Sequence, residues 1–149
     1  MRIILKMLKV KIQKISEDAI LPSYAHEGDA GMDIYSIKEY IVQPSHRVLV
    51  ATGIKVEVPK GYEMQVRPKS GLALKEGITV LNTPGTIDSG YRGEVGVIVI
   101  NHSSKDYKIE KGQKIAQAVF NKIERAVFVE SKLSETKRGE GGFGSTGLN

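Results

Sequence analysis

The sequence contains no cysteine and no tryptophan. The first absence excludes a disulfide framework, a thiolate metal site and a cysteine nucleophile, and it fits a reducing, cytoplasmic setting. The second belongs to a wider shortage. Aromatic residues make up 6% of the 149 positions and apolar residues 40%, lean for a globule that fills its own core. Part of the core is therefore expected to be completed between subunits. Long apolar runs are missing too. The longest, MRIILKML (1–8) and GVIVI (96–100), fall far short of a membrane span, and no small-residue cleavage site follows the first. The chain reads as one soluble, untargeted domain.

Concentrated charge is also lacking. The net charge is +5, but the lysines are spread singly, as in KVKIQK (9–14) and IKVEVPKG (54–61). A duplex-binding protein gathers its bases on one face with aromatics interleaved, so nucleic-acid recognition is not indicated. The balance suits a small anionic partner.

What the sequence does have is alternation. Leu8, Val10 and Ile12 oppose Lys9, Lys11 and Gln13, and Ile54, Val56 and Val58 repeat the period of two, as do Met64 and Val66. EVGVIVIN (94–101) reads as a more buried strand. Further strands are expected at 40–42, 47–50, 107–109, 116–123 and 126–129, with turn signals at Pro22, Gly53, Pro59 with Gly61, Pro84 with Gly85, and Gly112. Many short strands at this spacing indicate an all-β sandwich or barrel. One segment breaks the period: SGLALKEG (70–77) predicts a short helix with Ser70 at the N-cap and Gly77 as its stop. Its N-terminus, with Arg67 and Lys69 just before it, is a place for an anion.

The densest stretch is NTPGTIDSGYRGEVG (82–96). Pro84, Gly85 and Gly93 predict a hairpin with tight turns, and Asp88 lies between them after apolar Ile87. Partial desolvation there raises a carboxylate toward the range of a general base. Asp33 stands inside the apolar run AGMDIYS (30–36), where a charge needs a partner. Gln113 and Gln117 lie on a strand after the turn in GQKIAQAVF (112–120). The tail RGEGGFGSTG (138–147) is half glycine, yet it carries Arg138, Phe143, Ser145 and Thr146. GEGGFGST echoes a phosphate loop, but Ser145 stands where that loop needs lysine. A solubilising tail has no use for an aromatic ring.

AGMDIYS, RPKSGLALK (67–75), NTPGTIDSGYRGEV, GQKIAQAVF and RGEGGFGSTG, in that order, resemble the five motifs of the homotrimeric dUTP pyrophosphatases (dUTPases). The resemblance implies a distorted jelly-roll (β-clip) subunit with one short helix. It implies a β domain over residues 1–130 and a flexible arm over 131–149 that closes on an active site. Three subunits would share three sites, each hydrolysing dUTP to dUMP and pyrophosphate with Mg²⁺ on the triphosphate, which keeps uracil out of DNA and supplies dUMP for thymidylate synthesis. By the same resemblance Asp88 activates the attacking water and bonds the 3′-hydroxyl, and Tyr91 packs on the deoxyribose. Asn82, Gly85, Thr86 and Ile87, with Gly96 nearby, read the uracil edge. Lys69, Ser70 and Gly71 hold phosphates, Gln117 contacts the α-phosphate region, and Asp33 reaches the metal through water. Phe143 stacks on uracil, while Arg138, Gly144, Ser145 and Thr146 grip the γ-phosphate. Two positions depart from the family pattern: Lys69 replaces a common arginine, giving a point charge instead of a fork, and Gly90 replaces a common acidic residue. The related trimeric dCTP deaminases use a glutamate, whereas Asp88 with Tyr91 looks like the dUTPase arrangement. A nucleotide-binding trimer without catalysis has no use for a water-activating base.

Overall fold

The computed structural model describes residues 7–146; most of MRIILKML and the closing Gly147 of the tail motif lie outside the described residues. Among the described residues ten strands and one helix follow in order: β1 (Lys11–Lys14), β2 (Met32–Tyr35), β3 (Tyr40–Val42), β4 (Arg47–Glu57), β5 (Tyr62–Arg67), α1 (Ser70–Glu76), β6 (Ile78–Val80), β7 (Gly85–Ile87), β8 (Glu94–Asn101), β9 (Tyr107–Ile109) and β10 (Lys114–Lys122). They build two four-stranded sheets, β1-β4-β8-β6 and β2-β10-β5-β7, with the small ribbon β3-β9 beside them. All pairings between named strands are antiparallel.

The core lies between the two sheets and is built almost wholly from β-branched side chains. Val50, Ile54, Val56, Val80, Val95, Val97 and Val99 come from the first sheet, and Ile34, Met64, Val66, Ala116 and Ala118 from the second. Such side chains suit a pleated surface, and each fully buried one contributes about 1.5–3 kcal/mol. The aromatics stay at the margin, with Tyr40, Tyr62, Tyr107 and Phe120 only partly buried. In β8 burial alternates strictly, so Gly96, Ile98 and Ile100 face outward. Leu49, Ile98 and Leu81 form an apolar row there: Leu49 pairs with Ile98, and the Leu81 amide donates to the Ile98 carbonyl. Leu49 is 66% exposed and Leu81 44%.

Three sequence expectations need correction. Residues 126–129 form no strand; Val127, Phe128 and Val129 are 88%, 99% and 82% exposed. They have strand character, but they follow β10, whose two sides are already taken by β2 and β5, and they reach no free edge among the described residues. The helix is capped one residue earlier than expected: Lys69 is the N-cap in an extended conformation, no side chain caps the first turn, and Ser70 is already helical. Gly77 ends the helix at φ 66° with its amide bonded back to Ala73 and Leu72, as its position predicts. Finally, residues 82–96 are not a two-stranded hairpin. β7 pairs with β5 in one sheet while β8 pairs with β4 and β6 in the other, so the chain crosses between sheets here.

Candidate active site

Antiparallel register draws four of the five motifs to the sheet β2-β10-β5-β7. Asp33 on β2 pairs with Gln117 on β10, and Gln117 pairs with Arg67 on β5, just before Pro68, Lys69 and Ser70. One step further in, Met32, Ala118, Val66 and Gly85 form the next row. Asp33, Lys69, Lys114 and Gln117 line one open pocket together with Gly31, His26 and Asp29.

Asp33 is the electrostatic centre of this pocket. It is only 7% exposed, and two ammonium groups hold it: Lys69 on Oδ1, and Lys114 on Oδ2 at 2.7 Å. Burial pushes the Asp33 carboxyl up, but the hydrogen bonds and charges of Lys114 and Lys69 outweigh it and hold it below its ordinary value. Lys114 is correspondingly raised by its bond to Asp33. Gln117 donates from Nε2 to the Pro68 carbonyl at 2.9 Å, which ties β10 to the turn that carries Lys69. Gly31 makes room for that amide, since a Cβ there would lie 2.0 Å from Gln117 Oε1. Ser70 and Gly71 open the helix and are exposed, with open space around a Cβ at Gly71.

The second group of candidates lies elsewhere on the chain. Gly85 is buried against Val66, with the Asn82 side chain close by. β7 is an edge strand, so Gly85, Thr86 and Ile87 pair with β5 on one side only. Asp88 follows and is exposed, contrary to the partial desolvation expected for it; the segment around it turns outward between the sheets instead of folding back as a hairpin. Tyr91 lies over Gly93, where a Cβ would come within 2.3 Å of its hydroxyl, and that hydroxyl donates to the Glu94 carbonyl at 2.9 Å. Arg92 braces the turn by donating to the carbonyls of Ser89 and Tyr91 at 2.8 and 2.9 Å. Gly96 sits beneath Leu49 on the outer face of the first sheet. Three strand spacings across and three residues along separate Ile87 from Asp33, roughly 15–20 Å. One chain therefore does not bring Asp88 to Asp33 and Lys69.

The tail stands apart from both groups. Arg138 Nε donates to the Gly141 carbonyl at 2.8 Å, and the Gly141 and Ser145 amides donate to the carbonyls of Arg138 and Gly142. These bonds run within the tail. Phe143 adopts φ 48° and is wholly exposed, Gly144 follows at φ 91°, and Ser145 and Thr146 are exposed.

Among the described residues no cluster of three or more His, Asp or Glu side chains could cage a metal. Asp33 alone offers a buried carboxylate, and its two oxygens still have lone pairs beyond those the lysines occupy. That donor set fits a Mg²⁺ that keeps its waters and arrives on an anionic ligand, the way this ion is commonly held. Lys114 and Gly31 were not singled out from the sequence. Lys114 stands three residues before Gln117, a spacing that puts side chains on opposite faces of a regular strand, so no periodicity signal could have found it.

A family model described as dUTPase matches residues 17–147. The chain is 57% identical over 139 residues to a deoxyuridine 5′-triphosphate nucleotidohydrolase of Clostridium tetani, covering 93% of this chain and 96% of that one. It is 55% identical over 143 residues to the protein of the same name from Alkaliphilus metalliredigens, covering 95% and 99%. Among solved structures it is similar to the Staphylococcus bacteriophage 80alpha dUTPase with dUpNHpp, with a TM-score of 0.85 at 28% identity over 95% of this chain and 100% of that one.

Proposed function

The chain belongs to the dUTPase family, and from that premise we propose how its residues divide the hydrolysis of dUTP. It is a hydrolase with the dUTPase jelly-roll fold that converts dUTP to dUMP and pyrophosphate. In our reading, three copies assemble and each active site draws on more than one of them. Lys69, Ser70 and Gly71 receive the phosphates, with Gln117 beside the α-phosphate. Asn82 and the free edge of β7 receive uracil: the unpaired amides and carbonyls of Gly85–Ile87 match a base edge with one donor and two acceptors, and Gly96 lies nearby. Tyr91 packs on the deoxyribose. Asp88 bonds the 3′-hydroxyl and takes a proton from the water that attacks the α-phosphorus, as pyrophosphate departs. Asp33 would hold, through water, a Mg²⁺ that arrives on the triphosphate, and the ion would neutralise charge on the phosphate oxygens. Residues 131–149 form an arm: Phe143 stacks on uracil, and Arg138, Gly144, Ser145 and Thr146 reach the γ-phosphate.

The observation that carries this reading is the separation within one chain. Asp33, Lys69 and Gln117 form one group and Asp88 with Tyr91 another, and Ile87, just before Asp88, already lies roughly 15–20 Å from Asp33 by strand geometry. Within the described residues of one chain the phosphate-binding group and the aspartate stay apart, and an assembly of copies would bring one copy's aspartate to another's phosphate group. The apolar outward row Leu49, Ile98 and Leu81 and the exposed Val127, Phe128 and Val129 support the assembly, since lone chains rarely leave such surface open.

The test is complementation. Asp88→Asn and a chain truncated before Arg138 are each expected to be inactive. If the two are unfolded together and refolded in equal amounts, a site works when its aspartate and its arm come from different, suitable chains. Random mixing under threefold symmetry then restores about one quarter of the sites. No recovery in mixed trimers confirmed by mass would show that each arm serves the aspartate of its own chain.

A further inference from the structure

The pocket around Asp33 holds a cation that the division of labour above leaves unused. We propose that Lys114 is a positioning residue for phosphate capture: by holding Asp33 on its second oxygen, it lets Lys69 leave that carboxylate for the triphosphate. The inference rests on the assignment of Lys69 to the phosphates and deepens it.

Three features lead there. First, Lys69 and Lys114 share one carboxylate that is almost wholly buried. Were Lys69 its sole partner, moving Lys69 to a phosphate would strand a buried negative charge, which is strongly unfavourable. A second ammonium on the other oxygen removes that obstacle. Second, the sheet is built to deliver this second ammonium. Lys114 pairs with Tyr35, Ala116 with Ile34 and Gln117 with Asp33, so β10 carries one more residue than β2 across this stretch. In a regular strand Lys114 and Gln117, three apart, would face opposite sides. The bulge absorbs the odd residue and turns Lys114 onto the pocket face, a known use of bulges beside active sites. Third, the backbone that carries Lys69 is fixed by the bond from Gln117 to the Pro68 carbonyl. Capture then needs only a swing of the Lys69 side chain, which is 28% exposed, while Lys114, at 48%, holds Asp33 from the rim.

The experiment measures binding of dUpNHpp to the full chain without divalent metal, which removes any metal role of Asp33 from the readout. Lys114→Met is expected to weaken binding about tenfold, because Lys69 is then withheld by Asp33 and the competent fraction falls. Lys114→Arg should bind within about twofold of wild type, since an arginine can still neutralise the carboxylate. The decisive comparison is the Asp33→Asn background. With no carboxylate to retain Lys69, adding Lys114→Met should cost less than about twofold, a non-additivity that a direct phosphate contact from Lys114 would not produce. In metal-supported turnover the single variant should raise KM and leave kcat within about twofold. Lys114→Met binding like wild type, or costing the same tenfold beside Asp33→Asn, overturns the inference. Lys69→Met separates the two levels. If it weakens binding while Lys114→Met does not, the assignment of Lys69 stands and only the inference falls; if Lys69→Met binds normally, both fall.

Discussion

The Asp33 pocket and the C-terminal tail are opposite solutions to holding the same kind of ligand. At the pocket, four side chains from two strands and a turn are in place before any ligand arrives: Asp33 between Lys69 and Lys114, and Gln117 on Pro68, with Gly31 clearing the space. The described part of the tail bonds only to itself and leaves its one aromatic ring in water. Preorganised groups bind without an ordering cost, whereas a segment ordered by its ligand loses conformational freedom at that moment and gains the ability to open. In the proposed reaction the phosphates meet a cradle in which only the Lys69 side chain has to swing, and release of product is left to the segment that the fold does not hold.

Breaking each side separately should sharpen the contrast. The largest effect is expected outside both regions: Asp88→Asn should lower kcat by about 10²- to 10⁴-fold, the scale for losing a general base, with the affinity for dUpNHpp little changed. Near-normal turnover would make Asp88 a turn former only. Truncation before Arg138 should reduce kcat/KM by about 10²-fold or more through lost closure, yet move folding stability by less than about 0.5 kcal/mol, because no residue of its described part is buried. A marked loss of stability in urea unfolding would contradict the view of the tail as an independent arm. Gly31→Ala acts on the locked side. It should displace the Gln117 amide, cost about 1 kcal/mol for the broken bond to Pro68 and lower kcat/KM by about tenfold. Here stability and activity fall together, where the truncation separates them.

The smallest effect is in acid. Asp33 is held below its ordinary value by its lysines, so its contribution to stability is complete above about pH 5 and is lost as pH falls through the lowered folded value. The stability gap between wild type and Asp33→Asn should be flat from pH 7 to about pH 5 and close in stronger acid. A gap that widens as pH falls would mean that the lysines do not compensate Asp33 in solution.

Much of this was legible in the residues. The strands Tyr40–Val42 and Tyr107–Ile109 lie where alternation and turn residues predict them, and Gly77 ends the helix as its position requires. What escaped has physical reasons. Residues 126–129 are apolar and rich in strand formers, but a strand needs a neighbour to pair with, and they pair with none among the described residues. Ser70 is a good cap by type, yet Lys69 takes the cap while its side chain is drawn to Asp33. The crossing of residues 82–96 between two sheets depends on which neighbours β7 and β8 find, a long-range choice that turn residues do not encode. Lys114 was hidden by a bulge, which reverses the face that simple counting assigns.

The solitary ring at the tail makes the molecule unusually easy to watch. The chain has no tryptophan, and the side chain at position 143 is wholly in water. Phe143→Trp would therefore install the only indole in the protein, at the one place where closure should change its surroundings. Its emission would begin as that of a solvated indole and shift or quench when the ring is covered by a base, with only tyrosine emission at shorter wavelength beside it. The same poverty of aromatics that leaves the core to valine and isoleucine leaves the tail free of optical background.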